Sequence, residues 1–267
     1  MNSPKLRIGK IPYTNLFPIF FSLQRHCECS SYEFVEGPPS TLNRMLREGL
    51  LDISPSSSIE YLKNPDIYEI VSGHSISADG PVLSILFFSR KPIEKLEGSE
   101  IAVSSQSETS VALLDIVLRR FYCLKKISLI SSDRPELSGK EAFLLIGDDA
   151  LKAGSSCITN KDLIVYDLGK IWNEHTGLPF VFALWIARKE SVKQAHYPDF
   201  LRSLDEAKTK AFEDLEAIAE ASTAKLFMPQ QDIVAYWKII DYGFDSKHLA
   251  GLELFKKYLI ELGGLTH

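Results

Sequence analysis

LRIGKIPYTNLFPIFFSLQRHCECSSYEFVEGPPSTLNRMLREGLLDIS, residues 6–54, holds the pattern that decides the fold. Leu6–Ile11 is an apolar run closed by Pro12, and it predicts a first strand. A helix is expected from Asn15 or Leu16 to about Gln24, then a second strand over Tyr32–Val35. Gly37-Pro38-Pro39-Ser40 breaks the chain, and Ser40 is placed to cap a helix over Thr41–Glu48. Leu42, Met45 and Leu46 form its apolar stripe and Gly49 its stop. Leu51–Ser54 follows as a third strand. Strand and helix alternating over short connections argue for a parallel sheet covered by helices.

The rest of the chain extends this pattern. Pro55–Tyr61 reads as a loop opening a short helix, and Pro81–Ser89 as a long buried strand. A second α/β series follows, with strands at Ile101–Ser104, Ile127–Ile130, Ala142–Ile146 and Leu163–Asp167 and a helix over Thr109–Phe121. Pro179–Ala187 is a second long apolar strand, and residues 198–262 read as helices. The expected fold class is therefore α/β, with two lobes that are each a mixed sheet flanked by helices, and a C-terminal helical segment. The two long strands would be the crossings between lobes. Lobe 1 is expected to comprise residues 1–88 and 185–267, lobe 2 residues 89–184, with a ligand cleft between them.

Composition narrows the partners. The chain has 267 residues, 45% hydrophobic and 24% charged, and a formal net charge of -5. That balance supplies no basic field for a nucleic acid. The start, MNSPKLRIGKIPYTN, has no apolar core of a secretion signal, and no stretch near it could span a bilayer, so a cytoplasmic location away from membranes is expected. Cys27, Cys29, Cys123 and Cys157 lack zinc-site spacing and read as reduced thiols. The six histidines are scattered singly, so a metal site is not expected. The oligomeric state stays open, a homodimer included.

Ligands in open α/β sheets bind beyond the carboxyl ends of strands. Four segments fall there: Pro12–Asn15, Pro55–Ser58, Ser104–Ser110 and Gly147–Asp149. In Ser104–Ser110, six of seven residues carry a hydroxyl or amide, more than a helix cap needs. Backbone N–H groups and uncharged hydroxyls at a helix start attract anions. Ser105, Gln106, Ser107, Thr109 and Ser110 are thus candidate binding residues, with plain capping as the alternative. Ser56, Ser57 and Ser58 repeat the design, and two such sites would suit a dicarboxylate. Ser84 interrupts an apolar run and must find a partner or face a ligand. Asp148 and Asp149 end a strand and could cap a turn or contact ligand hydroxyls. Asp79 alone reads as a turn residue, and Asn15 alone as a turn or cap. His74 and His175 are the only histidines in plausible cleft loops.

Five strings run in order over the first 190 residues or so. They are R-I-G-K-I-P-Y-T-N (7–15), S-S-I-E-Y-L-K-N-P (57–65), S-I-S-A-D-G-P-V-L-S-I-L-F-F-S (75–89), S-S-Q-S-E-T-S-V-A-L-L (104–114) and G-D-D-A-L (147–151). Together they resemble the chorismate dehydratase family of the futalosine route to menaquinone. The resemblance implies a type II periplasmic-binding-protein-like fold in an intracellular enzyme. It implies a hydro-lyase converting chorismate to 3-[(1-carboxyvinyl)oxy]benzoate and water without cofactor or metal. Asn15 and Ser84 would then orient the reacting groups, and the serine-rich segments would clamp the carboxylates. Tyr13, Asp79 and Asp148 would complete the binding set. The enolpyruvyl carboxylate of the substrate would take the proton, and the competing mechanism uses Asp79, Asp148 or His74. The sister enzyme, 1,4-dihydroxy-6-naphthoate synthase, is similar in fold but has a motif closer to S-P-C-P-N-D and a histidine base. A non-catalytic solute-binding protein is the remaining alternative.

Overall fold

The computed structural model describes residues 4–157 and 162–265. In chain order the elements are β1 (Leu6–Lys10), α1 (Phe17–His26), β2 (Tyr32–Glu36), α2 (Pro39–Arg47), β3 (Ile53–Ser57), α3 (Ser58–Lys63), β4 (Tyr68–Ala78) and β5 (Ile85–Ser89). There follow β6 (Glu100–Ser104), α4 (Glu108–Ile116), β7 (Ser128–Ser132), β8 (Ala142–Ile146), α5 (Gly147–Cys157), β9 (Ile164–Asp167) and α6 (Leu168–Thr176). The chain closes with β10 (Phe180–Arg188), α7 (Tyr197–Glu213), α8 (Leu215–Ala221), α9 (Gln230–Ile239) and α10 (Ser246–Glu261).

These elements form two compact units. The first holds residues Met1–Ile76 and Ala183–Phe244, the second Ser77–Phe182 and Asp245–His267. In the first unit a mixed sheet runs β2-β1-β3-β10-β4. β1 pairs parallel with β2 and β3, and β10 runs antiparallel to β3. β3 is buried along its whole length, as a central strand with both faces covered must be. The α1 residues Ile19, Phe20 and Leu23 turn inward, where Phe20 meets Trp185, and Trp185 meets Phe200 of α7.

The second unit carries the sheet β7-β6-β8-β5-β9. β6 pairs parallel with β7 and β8, while β5 runs antiparallel to β8 and β9. Its core includes the stacked pair Phe88–Phe143 and a cluster in which Trp172 meets Phe180 and Phe255. Gly251 of α10 lies against the Pro179 carbonyl with no room for a Cβ. Gly251→Ala is therefore expected to cost about 1–3 kcal/mol through overpacking, read as a lower Tm.

Several expectations are corrected. The first crossing lies in β4, at Ile76–Ser77, and not in the strand near 81–89. β5 instead pairs within the second sheet, where α5 and α6 cover it, and this explains its apolar run. β4, YEIVSGHSISA, carries too many polar residues to look like a strand, yet Ser75 is partnered internally by the Gly243 carbonyl and Tyr68 by the Glu60 carboxylate. The C-terminal helix α10 belongs to the second unit, not the first, because Phe255 and Tyr258 meet Trp172. Lobe boundaries at 88 and 185 thus become 76 and 183. Ser40 does not cap α2, which starts one residue earlier with Pro39 in its first turn. The helix expected to Phe121 does reach it, but its last turn, Val117–Phe121, widens to a π turn. Cys27, Cys29 and Cys123 are free thiols, and the Cys157 side chain lies outside the described residues.

Candidate functional site

In the first unit, β1 and β3 are parallel neighbours, so the segments that follow them leave the same end of the sheet. After β1 comes a single 3-10 turn, Thr14–Leu16, with Tyr13 preceding it. Two aromatic side chains pin this turn. Trp237 of α9 donates its Nε1–H to the Thr14 carbonyl at 2.7 Å, and the Tyr242 hydroxyl donates to the Asn15 carbonyl at 2.6 Å. Burial pushes the Tyr242 phenol well above its ordinary value, so it remains a donor. The Asn15 Oδ1 is buried and meets no donor from the described residues. A buried acceptor left this way asks for a partner.

β3 runs three residues further than its sequence predicts, so Pro55, Ser56 and Ser57 lie in the strand and α3 begins at Ser58 with no intervening loop. Ser57 precedes α3 but its side chain makes no cap bond. It accepts instead from Asn43 Nδ2 of α2 at 2.9 Å, where both residues are buried. The Ser56 Oγ and the Asn43 Oδ1 are buried with no partner among the described residues. Plain capping therefore does not account for this serine cluster.

In the second unit four segments share one end of the sheet. β6 and β8 run parallel, so Ser105–Ser110 and Gly147–Asp148 both leave from it. β5 is antiparallel to β8 with Ile85 opposite Ile146, which brings Ser84 to the same end. The Gly147 N–H donates to the Ser84 carbonyl at 2.7 Å. Ser84 is buried, and among the described residues its hydroxyl makes only a long 3.4 Å contact to the Val82 carbonyl. The end of β9 adds Asp167.

The serine-rich stretch divides. Ser107 caps α4 by accepting from the Ser110 N–H at 3.2 Å, and the Ser107 hydroxyl donates to Ser110 Oγ at 2.9 Å. The exposed Ser105 donates to Asp133 Oδ1 at 2.5 Å, and the Gln106 N–H donates to Ser104 Oγ. Thr109 and Ser110 are buried in the first turn. Asp148 and Asp149 lie in the first turn of α5. Asp79 is engaged: it accepts from Asn173 Nδ2 at 2.7 Å and pairs with Lys247 at 2.5 Å.

Three histidines have structural employment. His74 is buried with its Nε2 2.9 Å from Asp205 of α7, and burial lowers its pKa. It thereby ties β4 to α7. His175 stacks on Phe121 at 4.3 Å, and its Nδ1 bonds the Ile171 carbonyl. His248 shares a capping box with Asp245 at the start of α10. Among the described residues, no group of three or more His, Cys, Asp or Glu is placed to hold a metal ion, and no helix is long and apolar enough to cross a membrane.

A family model described as menaquinone biosynthesis matches residues 6–261. The chain belongs to this menaquinone-biosynthesis family. Within the family it is similar to a chorismate dehydratase of Thermus thermophilus, 27% identical over 264 residues and 94% of each chain. A chorismate dehydratase of Campylobacter jejuni is 32% identical over 211 residues, 76% of this chain and 75% of that protein. A 1,4-dihydroxy-6-naphtoate synthase of Thermus thermophilus is 30% identical over 209 residues, 76% and 71%. Among solved structures, an Archaeoglobus fulgidus protein superposes with a TM-score of 0.81 at 20% identity over 98% of both chains. A Candida albicans protein described as exhibiting the generic periplasmic binding protein fold gives 0.70 at 13% identity, over 99% of this chain and 92% of that one. The fold of this family member is therefore periplasmic-binding-protein-like.

The sequence misses four residues that hold these segments in the family member: Asn43, Trp237, Tyr242 and Asp167. Only Asp167 carries a legible signal, an acid closing a strand just before a helix. The others act across gaps in sequence that no local pattern encodes.

Proposed function

We propose that this protein is a chorismate dehydratase, a hydro-lyase that converts chorismate to 3-[(1-carboxyvinyl)oxy]benzoate and water in the cytoplasm. The observation that carries this reading is the similarity to a chorismate dehydratase over 94% of both chains. The ends of the two sheets supply uncharged donors in the manner this chemistry needs. Asn15, with Tyr13 beside it, and the Ser56–Ser58 segment would serve one part of the substrate. Ser84 and the Thr109–Ser110 helix start would serve another, with Gln106 and Asp148 nearby.

The reaction removes the ring proton at the ether carbon and the neighbouring hydroxyl, which leaves as water once it gains that proton. Aromatisation of the ring drives it forward. The protein's task is to hold both carboxylates and fix the ring, so positioning and electrostatic stabilisation carry the rate. We assign the proton to the substrate's own enolpyruvyl carboxylate, with Asn15 and Ser84 orienting the reacting groups. The engagement of Asp79 with Lys247 and Asn173 favours this over Asp79 as the base. The I-P-Y-T-N string at residues 11–15, unlike S-P-C-P-N-D, favours the dehydratase over the naphthoate synthase.

Incubation of the purified protein with chorismate is expected to yield the enolpyruvyl-oxybenzoate without added metal or cofactor, followed by absorbance and mass. Tight chorismate binding with no product would sink the enzymatic reading in favour of a solute-binding protein. A large kcat loss in His74→Ala or Asp148→Asn, with KM retained, would overturn the substrate-assisted step.

A further inference from the structure

Ser84 gains its place from a turn that is conformationally expensive. Leu83 adopts φ +61, a left-handed conformation that a leucine rarely takes. Such strain persists only where neighbouring groups over-determine it. The neighbours here converge on Asp167. Its Oδ2 accepts from the Leu83 N–H at 2.7 Å and the Val82 N–H at 2.9 Å. Its Oδ1 caps α6 by accepting from the Lys170 N–H at 3.0 Å. Gly169, in the same first turn, approaches the loop so closely that an added Cβ would stand 2.7 Å from the Gly80 carbonyl and 3.2 Å from Val82 Cβ. On the far side of the turn, the Gly147 N–H holds the Ser84 carbonyl. The start of α6 is thus shaped against residues 80–83, and one carboxylate joins β9, α6 and the entry to β5.

We propose that Asp167 is a positioning residue for the dehydration: it acts through the Val82 and Leu83 amides to set where the Ser84 hydroxyl points. The proposal rests on the reading of Ser84 given above. Two consecutive amides bonded to one carboxylate fix the chain on the entry side of Leu83. Leu83 holds φ +61, and the Gly147 N–H fixes the Ser84 carbonyl on the exit side, so the Cα–Cβ direction of Ser84 is set between two anchors. Among the described residues the side chain itself has the 3.4 Å contact to Val82 and adds little restraint of its own. Asp167 need not approach the substrate to govern the reaction.

Asp167→Ser separates the two duties. Serine keeps a good N-cap for α6, but it is one atom too short to reach the 82–83 amides. Asp214→Ser serves as control, because Asp214 caps α8 in the same manner and is assigned no part in the reaction. Steady-state kinetics on chorismate and amide hydrogen exchange are measured for the parent, Asp167→Ser, Ser84→Ala, the double variant and the control. In Asp167→Ser, kcat is expected to fall about 10–100-fold with KM within about threefold, as for a reacting group displaced by roughly 1 Å. Exchange at Val82 and Leu83 is expected to accelerate. The double variant should be no slower than Ser84→Ala alone, and the control should retain the parent kcat. Unchanged kcat in Asp167→Ser, full activity in Ser84→Ala, or losses that multiply in the double variant would overturn the proposal. If the parent itself does not turn over chorismate, the reaction assigned above fails, and the exchange data alone decide the clamp: equal protection at Val82 and Leu83 in Asp167→Ser overturns it.

Discussion

Asn15→Ala is expected to lower kcat on chorismate by about 100–1,000-fold while leaving Tm almost unchanged. The size follows from removing one preorganised polar contact in a water-poor site. The stability expectation follows from how the turn is built. Its fixed points are main-chain carbonyls, those of Thr14 and Asn15, held by Trp237 and Tyr242. The Asn15 side chain makes neither of these bonds, and its Oδ1 is buried without a partner from the described residues. Truncation therefore leaves both fixed points of the turn in place and removes an acceptor open to a ligand. Steady-state kinetics beside a melting curve check both halves. A variant that melts early with normal kcat would show that Asn15 is merely structural.

The second large effect lies in stability. Asp52→Ala is expected to cost on the order of 1–3 kcal/mol, because it removes a buried hydrogen-bonded carboxylate and leaves the Arg7 side chain, itself 36% exposed, to water. Asp52 is 1% exposed and accepts from Nε and Nη2 of Arg7 at 2.9 Å each and from the Arg7 N–H at 2.8 Å. The Ser191 hydroxyl at 2.8 Å and Gln194 Nε2 at 2.9 Å complete the set. These groups link β1 and the start of β3 to the segment after β10. Burial by itself would push the Asp52 carboxyl up, but the Arg7 guanidinium, the Arg7 amide and Ser191 outweigh it and hold the carboxyl below its ordinary range. The sign then follows. A carboxyl depressed in the folded state stabilises fully above its unfolded value of about 3.9, and that contribution disappears as pH falls through the lower folded value. Denaturant melts from pH 7 down to pH 2 are expected to show acid-dependent loss in the parent that Asp52→Ala lacks. Equal acid sensitivity in both would remove Asp52 from the account.

The alternation of strand and helix in residues 6–54 was legible because apolar runs there are short, local and punctuated by Pro and Gly. Element ends were less so: β3 absorbs Pro55–Ser57 because β10 pairs alongside it, a partner far off in sequence. β4 was illegible because Ser75 and His74 find their partners far off in sequence, at the Gly243 carbonyl and the Asp205 carboxylate, which periodicity does not register. The site divides the same way. Hydroxyl-rich strand ends stand out in the sequence, and the structure gathers them at one end of each sheet. It also returns Ser107 to capping and Ser105 to Asp133, where hydroxyl content alone had promised more. The groups that aim the site, Asn43, Trp237, Tyr242 and Asp167, reach it by tertiary contact and so left no local trace.

The three points at which the chain changes unit, Ile76, Phe182 and Phe244, have a bearing on biosynthesis. Neither unit is contiguous in sequence. The sheet of the first needs β10 and the helices through α9, and the aromatic cluster of the second needs Phe255 and Tyr258 of α10. A nascent chain leaving the ribosome therefore completes no unit until nearly its whole length has emerged. Until then its apolar strands, β5 and β10 above all, have no finished core to enter. Termination before Phe244 would accordingly yield no partial product with one intact half, and protection by chaperones during synthesis matters more here than for a protein whose domains follow one another along the chain.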